Sequence, residues 1–133
     1  MRPVEFRVWD KKRQKMESCV SVSPFGITDC DRRLWKPDEV ELMQYTGLCD
    51  RNGKKVFEGD IVKGIAIQRE GGFEYFGKVV WYGFNTVIGW YVEDAEGRGW
   101  ELRQLQTRIS LDHITGEVIG NIWESPRLLK EVQ

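Results

Sequence analysis

Histidine is nearly missing from this sequence: His113 stands alone among 20 basic and 21 acidic residues in a chain of 133. Its neighbour Asp112 is a poor orienting partner, because successive side chains of an extended segment point to opposite faces. Ser110 and Ser125 lack the Gly-x-Ser-x-Gly setting of a nucleophile elbow. Cysteine is scarce and odd in number, with Cys19, Cys30 and Cys49 outside any CxxC spacing. A secreted disulfide framework prefers an even set, and a zinc site would have to borrow the distant His113. The expectation is therefore three free thiols, buried or half-buried. Long apolar runs are missing too. No segment approaches the roughly 20 apolar residues that cross a bilayer, and Met1–Asp10 has no signal-like apolar core. Nor is there an excess of one charge: the net charge is −1 and the pI about 5.9, which gives no global field for nucleic acid or anionic lipid. These absences lead us to expect a protein of the cytoplasm with no catalytic residue, no metal, no cofactor and no membrane association.

What is present is core material. The chain is 41% hydrophobic and carries six Trp, six Phe and four Tyr, a composition opposite to that of disordered segments. At this length a single domain buries roughly two-thirds of the surface of its unfolded chain.

The patterning is of period two, with β-branched and aromatic runs and no long 3.6-residue periodicity. Strands are predicted at Phe6–Trp9, Met16–Val22, Ile27–Cys30, Val40–Tyr45, Ile61–Ile67, Phe73–Tyr82, Val87–Glu93, Trp100–Leu105 and Glu117–Trp123. Turn chemistry separates them: the basic stretch Asp10–Lys15, Ser23-Pro24-Phe25-Gly26, Asp50-Arg51-Asn52-Gly53, Glu58-Gly59-Asp60, Gly71-Gly72, Gly83-Phe84-Asn85 and Asp94–Gly99. Pro126 ends the last strand, and Arg127–Val132 reads as one helical turn or a tail. Short strands spaced by turns indicate an all-β barrel or sandwich.

Three motifs carry a family likeness. Arg7-Val8-Trp9-Asp10, with Met16, is the first. Met43-Gln44-Tyr45-Thr46-Gly47-Leu48 continues through Asp50, Gly53 and Glu58-Gly59-Asp60-Ile61-Val62. Val118-Ile119-Gly120-Asn121-Ile122-Trp123-Glu124-Ser125-Pro126-Arg127-Leu128-Leu129 is the closing run. In this order they resemble the YopX family of phage and prophage proteins. The motif positions are Arg7, Trp9, Asp10, Gln44, Tyr45, Thr46, Gly47, Asp50, Gly53, Gly59, Asp60, Gly120 and Asn121. The resemblance implies a mainly β fold, with an SH3-like barrel over residues 46–126, an N-terminal β segment over 1–45 packed beside it, and a tail at 127–133. It also implies a phage or prophage source and action within the bacterial host. It brings no activity with it. Cys49 departs from the polar or basic residue usual there, and Arg98–Thr115 follows no family pattern, so it reads as a private loop or an extra strand.

Several residue groups invite a functional reading beside a structural one. Asp50 and Asp60 sit in tight turns, where an Asx side chain accepts backbone N–H bonds. Glu58 with Asp60, and Glu93-Asp94-Ala95-Glu96, could attract a cation but lack the ordered ligand spacing of a calcium loop. Gly53-Lys54-Lys55 has neither the leading loop nor the trailing Ser/Thr of a phosphate loop. Gln44, Thr46 and Asn121 are polar residues among apolar strands and are expected to satisfy backbone groups. Two basic turns, Lys11, Lys12, Arg13 and Lys15 on one side and Arg51, Lys54 and Lys55 on the other, are each flanked by an aromatic. Side by side they would make a phosphate-binding edge. Trp81 and Trp90 flank the Gly83-Phe84-Asn85 connection and Trp100 opens the next strand, a grouping that suits either core or a docking patch. The reading the sequence favours is a non-enzymatic module that binds a protein partner or its own copies, with nucleic-acid binding as the alternative.

Overall fold

A computed structural model describes residues 4–68, 71–84, 87–108 and 110–131. The chain forms two compact units, one ending at Tyr45 and the other beginning at Thr46.

In the first unit, β1 (Phe6–Asp10) pairs antiparallel with β2 (Lys15–Glu17) on one side and with the start of β6 (Val40–Cys49) on the other. A separate three-stranded antiparallel sheet follows the order β3 (Val20–Ser23), β4 (Gly26–Asp29), β5 (Leu34–Trp35). The predicted strand Met16–Val22 is therefore two strands, because the chain leaves one sheet at Ser18 and enters another at Val20. β5 is an addition to the prediction: with two residues it carries no periodicity to read. Val8, Trp9, Val40, Met43 and Tyr45 are buried.

Cys19 and Cys30 form a disulfide, with Cα atoms 5.4 Å apart, and both residues are exposed. This corrects the expectation of three buried or half-buried free thiols; only Cys49 is free, and it is half-buried. The pairing follows from the β3–β4 ladder, in which Val20 opposes Asp29 and so brings the two flanking cysteines together.

In the second unit the end of β6 is joined by β7 (Lys55–Phe57), and a five-stranded antiparallel sheet follows. Its order is β11 (Gly99–Glu101), β10 (Val87–Glu93), β9 (Gly71–Phe84), β8 (Asp60–Gln68), β12 (Glu117–Asn121). β9 is the organising strand. Its first part, Gly71–Lys78, pairs with β8, and its last part, Lys78–Phe84, pairs with β10. The predicted breaks at Gly71-Gly72 and Gly83-Phe84 are the two ends of β9, the first paired with β8 and the second with β10. Asn85 lies outside the described residues.

The inner face of this sheet carries Val62, Ala66, Tyr75, Val79 and Val92, which pack with Leu48, Val56, Leu102, Leu105 and Ile114 as one core. Each Val, Leu or Ile among them contributes about 1.5–3 kcal/mol when fully buried. Three core members come from the stretch Arg98–Thr115, so that stretch is neither a private loop nor simply an extra strand. It begins as β11, tightens into a 3-10 turn at Leu102–Leu105 that replaces most of the predicted strand Trp100–Leu105, and returns beside Cys49. The 3-10 geometry puts Leu102 and Leu105, three apart, on one side of the turn. β12 ends at Asn121 rather than Trp123, because Asn121 Oδ1 accepts the N–H groups of Trp123 and Glu124 and turns the chain. A single helical turn, α1 (Leu128–Glu131), follows.

The expectation of a closed SH3-like barrel is met in the coarser sense only. The protein is mainly β and its largest sheet is antiparallel, but that sheet remains open: among the described residues β11 and β12 are its two edges and do not pair with each other.

Candidate interaction surface

The motif residues come first, because the structure shows what they do. Asp50 is buried; its Oδ1 accepts the N–H groups of Asn52 and Lys54, each at 2.9 Å, and its Oδ2 accepts that of Val118 at 2.9 Å. One carboxylate thus closes its own turn and holds the start of β12, 68 residues away. Asp60 Oδ2 accepts from Phe57 N at 2.8 Å across the Glu58-Gly59 turn. Thr46 Oγ1 donates to Val56 O at 2.7 Å and accepts from Leu48 N at 3.2 Å, which ties β6 to β7. Asp10 Oδ1 accepts from Lys12 N and Arg13 N, and Oδ2 from Trp35 Nε1 at 3.2 Å. The Arg13 N–H, and after it the Trp35 and Lys12 bonds, hold the Asp10 carboxyl below its ordinary range despite the opposing effect of burial.

Arg7, Trp9 and Tyr45 are buried, whereas Gln44 is exposed. Gly59 adopts φ +86°, a conformation that side-chain-bearing residues rarely take, while its N–H donates to Val79 O and its carbonyl accepts from Ile122 N. Gly47 and Gly53 are also left-handed, and a Cβ on Gly120 would run into Leu128. Asp10, Thr46, Asp50, Gly59, Asp60 and Asn121 are thus occupied in making turns and joining strands.

The two basic turns belong to different units of the chain. Within each, cations already face carboxylates: Lys11 with Glu41 at 3.0 Å, Lys15 with Glu17 at 3.4 Å, Arg13 with Asp10 at 4.0 Å and Arg51 with Glu117 at 3.8 Å. Lys12 and Lys54 are exposed and enter no such pair among the described residues, and Lys55 is exposed on β7. Ser110 Oγ and His113 Nδ1 lie 3.0 Å apart, but within one turn in which Ser110 also bonds Thr107 and Asp112. Among the described residues no three metal-ligating side chains gather.

What stands out on the second unit is a two-stranded ribbon. Beyond Val79, β9 is paired only with β10, and before Tyr91, β10 is paired only with β9. Val80–Phe84 and Val87–Trp90 therefore each present a free outer edge among the described residues. Trp81 lies opposite Trp90, with ring centroids 4.9 Å apart and planes at 68°, an edge-to-face contact. On the other face Tyr82 meets Tyr91 in the same manner at 5.4 Å. The Tyr82 hydroxyl donates to Glu93 Oε2 at 2.8 Å, and that carboxylate raises its pKa. Trp81 is 52% exposed and Ile88 62%. Of the three tryptophans grouped by sequence, Trp100 goes elsewhere: it stacks on Phe73 at 5.7 Å, against the core.

The ribbon sits in the run Val79–Val92, which contains no Asp, Glu, Lys, Arg or Pro. That run is the signal that would have added Tyr82 and Ile88 to the sequence reading. Native proteins guard free strand edges with charges, prolines or bulges; this edge has none of the first two.

A groove lies at the opposite end of β9. It has a volume of about 1210 Å³ and is lined by Ile65 and Ile67 of β8, Tyr75 and Phe76 of β9, Trp100 and Leu129, among others. Tyr75 anchors it. Its hydroxyl, whose pKa is raised by burial, shares a 3.0 Å hydrogen bond with Thr115 Oγ1. Gly64 is required beside it, since a Cβ there would collide with the Gly116 backbone. β12 pairs with β8 only as far as Lys63, so Gly64–Gln68 form another edge free of strand partners among the described residues.

The fold recurs in a solved protein. The crystal structure of protein EF1440 from Enterococcus faecalis superposes with a TM-score of 0.65 at 24% identity, covering 97% of this chain and 99% of that one. No curated protein sequence matches the chain. A family model described as YopX protein matches residues 5–130. With nearly the whole sequence inside that match and the motif residues building both units, the chain belongs to the YopX family of phage and prophage proteins.

Proposed function

We propose that this phage- or prophage-associated protein is a non-enzymatic interaction module of the host cytoplasm, and that the β9–β10 ribbon is the element with which it grips a protein partner. The observation that carries this reading is the exposure of Trp81, Tyr82 and Ile88 on a ribbon whose two edges are free and uncharged. An isolated two-stranded hairpin is marginal in water, and large apolar side chains on unguarded strands are a liability unless something covers them. Tryptophan and tyrosine are also the residues that carry most binding energy at protein interfaces. The surrounding fold supplies a rigid base: β9 continues from the ribbon into the core through Val79 and Tyr75.

Site-specific photo-cross-linking in the bacterial host tests this. A photoreactive residue in place of Ile88 is expected to give discrete protein adducts, while the same residue in place of Leu111, an even more exposed position off the ribbon, gives none. Equal labelling from both positions, or none from Ile88, would overturn the proposal.

A further inference from the structure

We infer that the Cys19–Cys30 disulfide is a redox switch in the first unit: a dithiol reductant opens it in the folded protein, and the β3–β4–β5 sheet then comes loose with Trp35 while the remainder stays folded. The switch goes beyond the interaction-module reading, since it lies in the first unit and the ribbon in the second.

Little else holds this sheet together. None of the residues in β3, β4 or β5 is buried. Val22 and Leu34 are exposed, and Phe25 in the β3–β4 turn is 89% exposed. A small sheet needs a covered apolar face to be stable by itself, and small folds without a sufficient core use disulfides in its place. Val20 opposes Asp29 at the last rung of the β3–β4 ladder, and the disulfide closes the hairpin just beyond it, at the end away from the Ser23–Gly26 turn. The side-chain bonds within the sheet are local: Ser23 Oγ accepts from Phe25 N, and Asp29 Oδ1 accepts from Asp31 N and Arg33 N. They shape the two turns and bury nothing. A further bond reaches outward, with Trp35 Nε1 donating to Asp10 Oδ2 at 3.2 Å, so the sheet shares a carboxylate with the turn that follows β1.

Both cysteines are exposed, so a thiolate can reach either sulfur without unfolding the chain, and exposed disulfides are the labile and regulatory ones. The thiolate of a dithiol attacks one Sγ, the S–S bond breaks, and the other Sγ leaves as a thiolate that takes up a proton. The second thiol of the reductant then resolves the mixed disulfide. Two electrons and two protons pass to the protein, which ends with two cysteine thiols, and the reductant ends as a disulfide. In the host cytoplasm proposed above, thiol reductants are abundant, and the disulfides that do form there usually serve redox sensing or catalysis. The third cysteine, Cys49, lies in the second unit and is half-buried, so the pair opens and closes without a competing thiol in its own unit.

Hydrogen exchange followed by NMR on the full chain, oxidised and then treated with dithiothreitol, decides it. Three N–H groups report: the Trp35 indole, which donates to Asp10; the Asp29 amide, which donates to Arg33 O; and the Val92 amide in the core of the second unit. Reduction without urea is expected to proceed at a rate proportional to dithiothreitol concentration. In the reduced protein the Trp35 and Asp29 groups should exchange as fast as in an unfolded chain, with Val92 still protected, and reoxidation should restore the slower exchange. The double variant Cys19→Ser, Cys30→Ser should match the reduced protein in either buffer. Reduction that occurs only at urea concentrations that unfold the chain would overturn the switch, since the bond would then be closed to reagents in the folded state. So would loss of Val92 protection on reduction, which would make the disulfide a staple of the whole fold. Trp35 and Asp29 groups as protected in the double variant as in the oxidised protein would show that the sheet stands without the link, and would overturn it too. All three reporters are blind to the ribbon, so failure here leaves the Ile88 cross-linking result standing.

Discussion

Trp81 and Trp90 face one another across the β9–β10 ladder with ring centroids 4.9 Å apart, yet Trp81 leaves 52% of its surface uncovered. Trp90 packs against the core, and Trp81 extends the pair outward onto the ribbon. Replacing Trp81 with Ala is expected to lower stability by less than about 3 kcal/mol: about 0.5–1.5 kcal/mol for the edge-to-face pair, and the rest for the covered half of the side chain. Urea unfolding measures it. A loss of 3 kcal/mol or more, on the order seen for buried aromatics, would show that Trp81 belongs to the packed interior.

Asp50 should behave in the opposite way. It is 1% exposed and accepts three backbone N–H bonds, one of them from Val118. Asp50→Ala is expected to destabilise the protein by at least about 3 kcal/mol, since hydrogen bonds to a charged group contribute about 1.5–3 kcal/mol each and the stranded donors are costly. Faster amide exchange at Val118 than at Val92 in this variant would locate the damage at the joint between the Asp50 turn and β12.

The pH dependence of the first unit should include a contribution from Asp10. Its folded-state carboxyl lies below its ordinary value of 3.8, chiefly through the Arg13 N–H bond. A depressed carboxylate adds stability that is present above its unfolded value and lost as pH falls through the folded one. Unfolding free energies measured from pH 5 downward should therefore decline below pH 3.8, and the Asp10→Asn variant should decline less. Parallel curves for the two proteins would refute the assignment.

Leu105 tests whether Arg98–Thr115 is part of the core. The side chain is fully buried in the 3-10 turn after β11. Leu105→Ala is expected to cost about 2–5 kcal/mol by cavity formation, while Leu111→Ala, at an exposed position in the same stretch, should cost less than about 0.5 kcal/mol. Similar small losses for both would mean that the stretch packs loosely.

Thiol titration of the oxidised, denatured protein should find one reactive cysteine, Cys49, with Cys19 and Cys30 joined. Opening that link should lower stability by about 2–3 kcal/mol, as expected for a loop of this length. Three reactive thiols without reductant would contradict the pairing.

Much of the fold was legible because its causes are local. Alternation located Phe6–Asp10, Asp60–Gln68 and Val87–Glu93 to within a residue or so, since a half-covered strand must alternate wherever it lies. Asp50, Gly53, Gly59 and Asp60 announced their turns through side-chain chemistry that needs no distant partner. Elements of two or three residues, Leu34–Trp35 and Lys55–Phe57, were invisible because so short a span cannot show a period.

What the sequence by itself determined is a mainly β chain of YopX type, with its strand runs, its turns and an unguarded, charge-free stretch from Val79 to Val92. Only the tertiary structure decided which of those strands are covered. Leu105 and Ile114 went inward, Cys19 met Cys30, Asp50 reached Val118, and among the described residues the outer edges of the ribbon were left without a strand partner. The physical reason is the range of the forces involved. Backbone preference and side-chain periodicity are set within a few residues, whereas burial and edge pairing depend on which distant segment arrives to displace water.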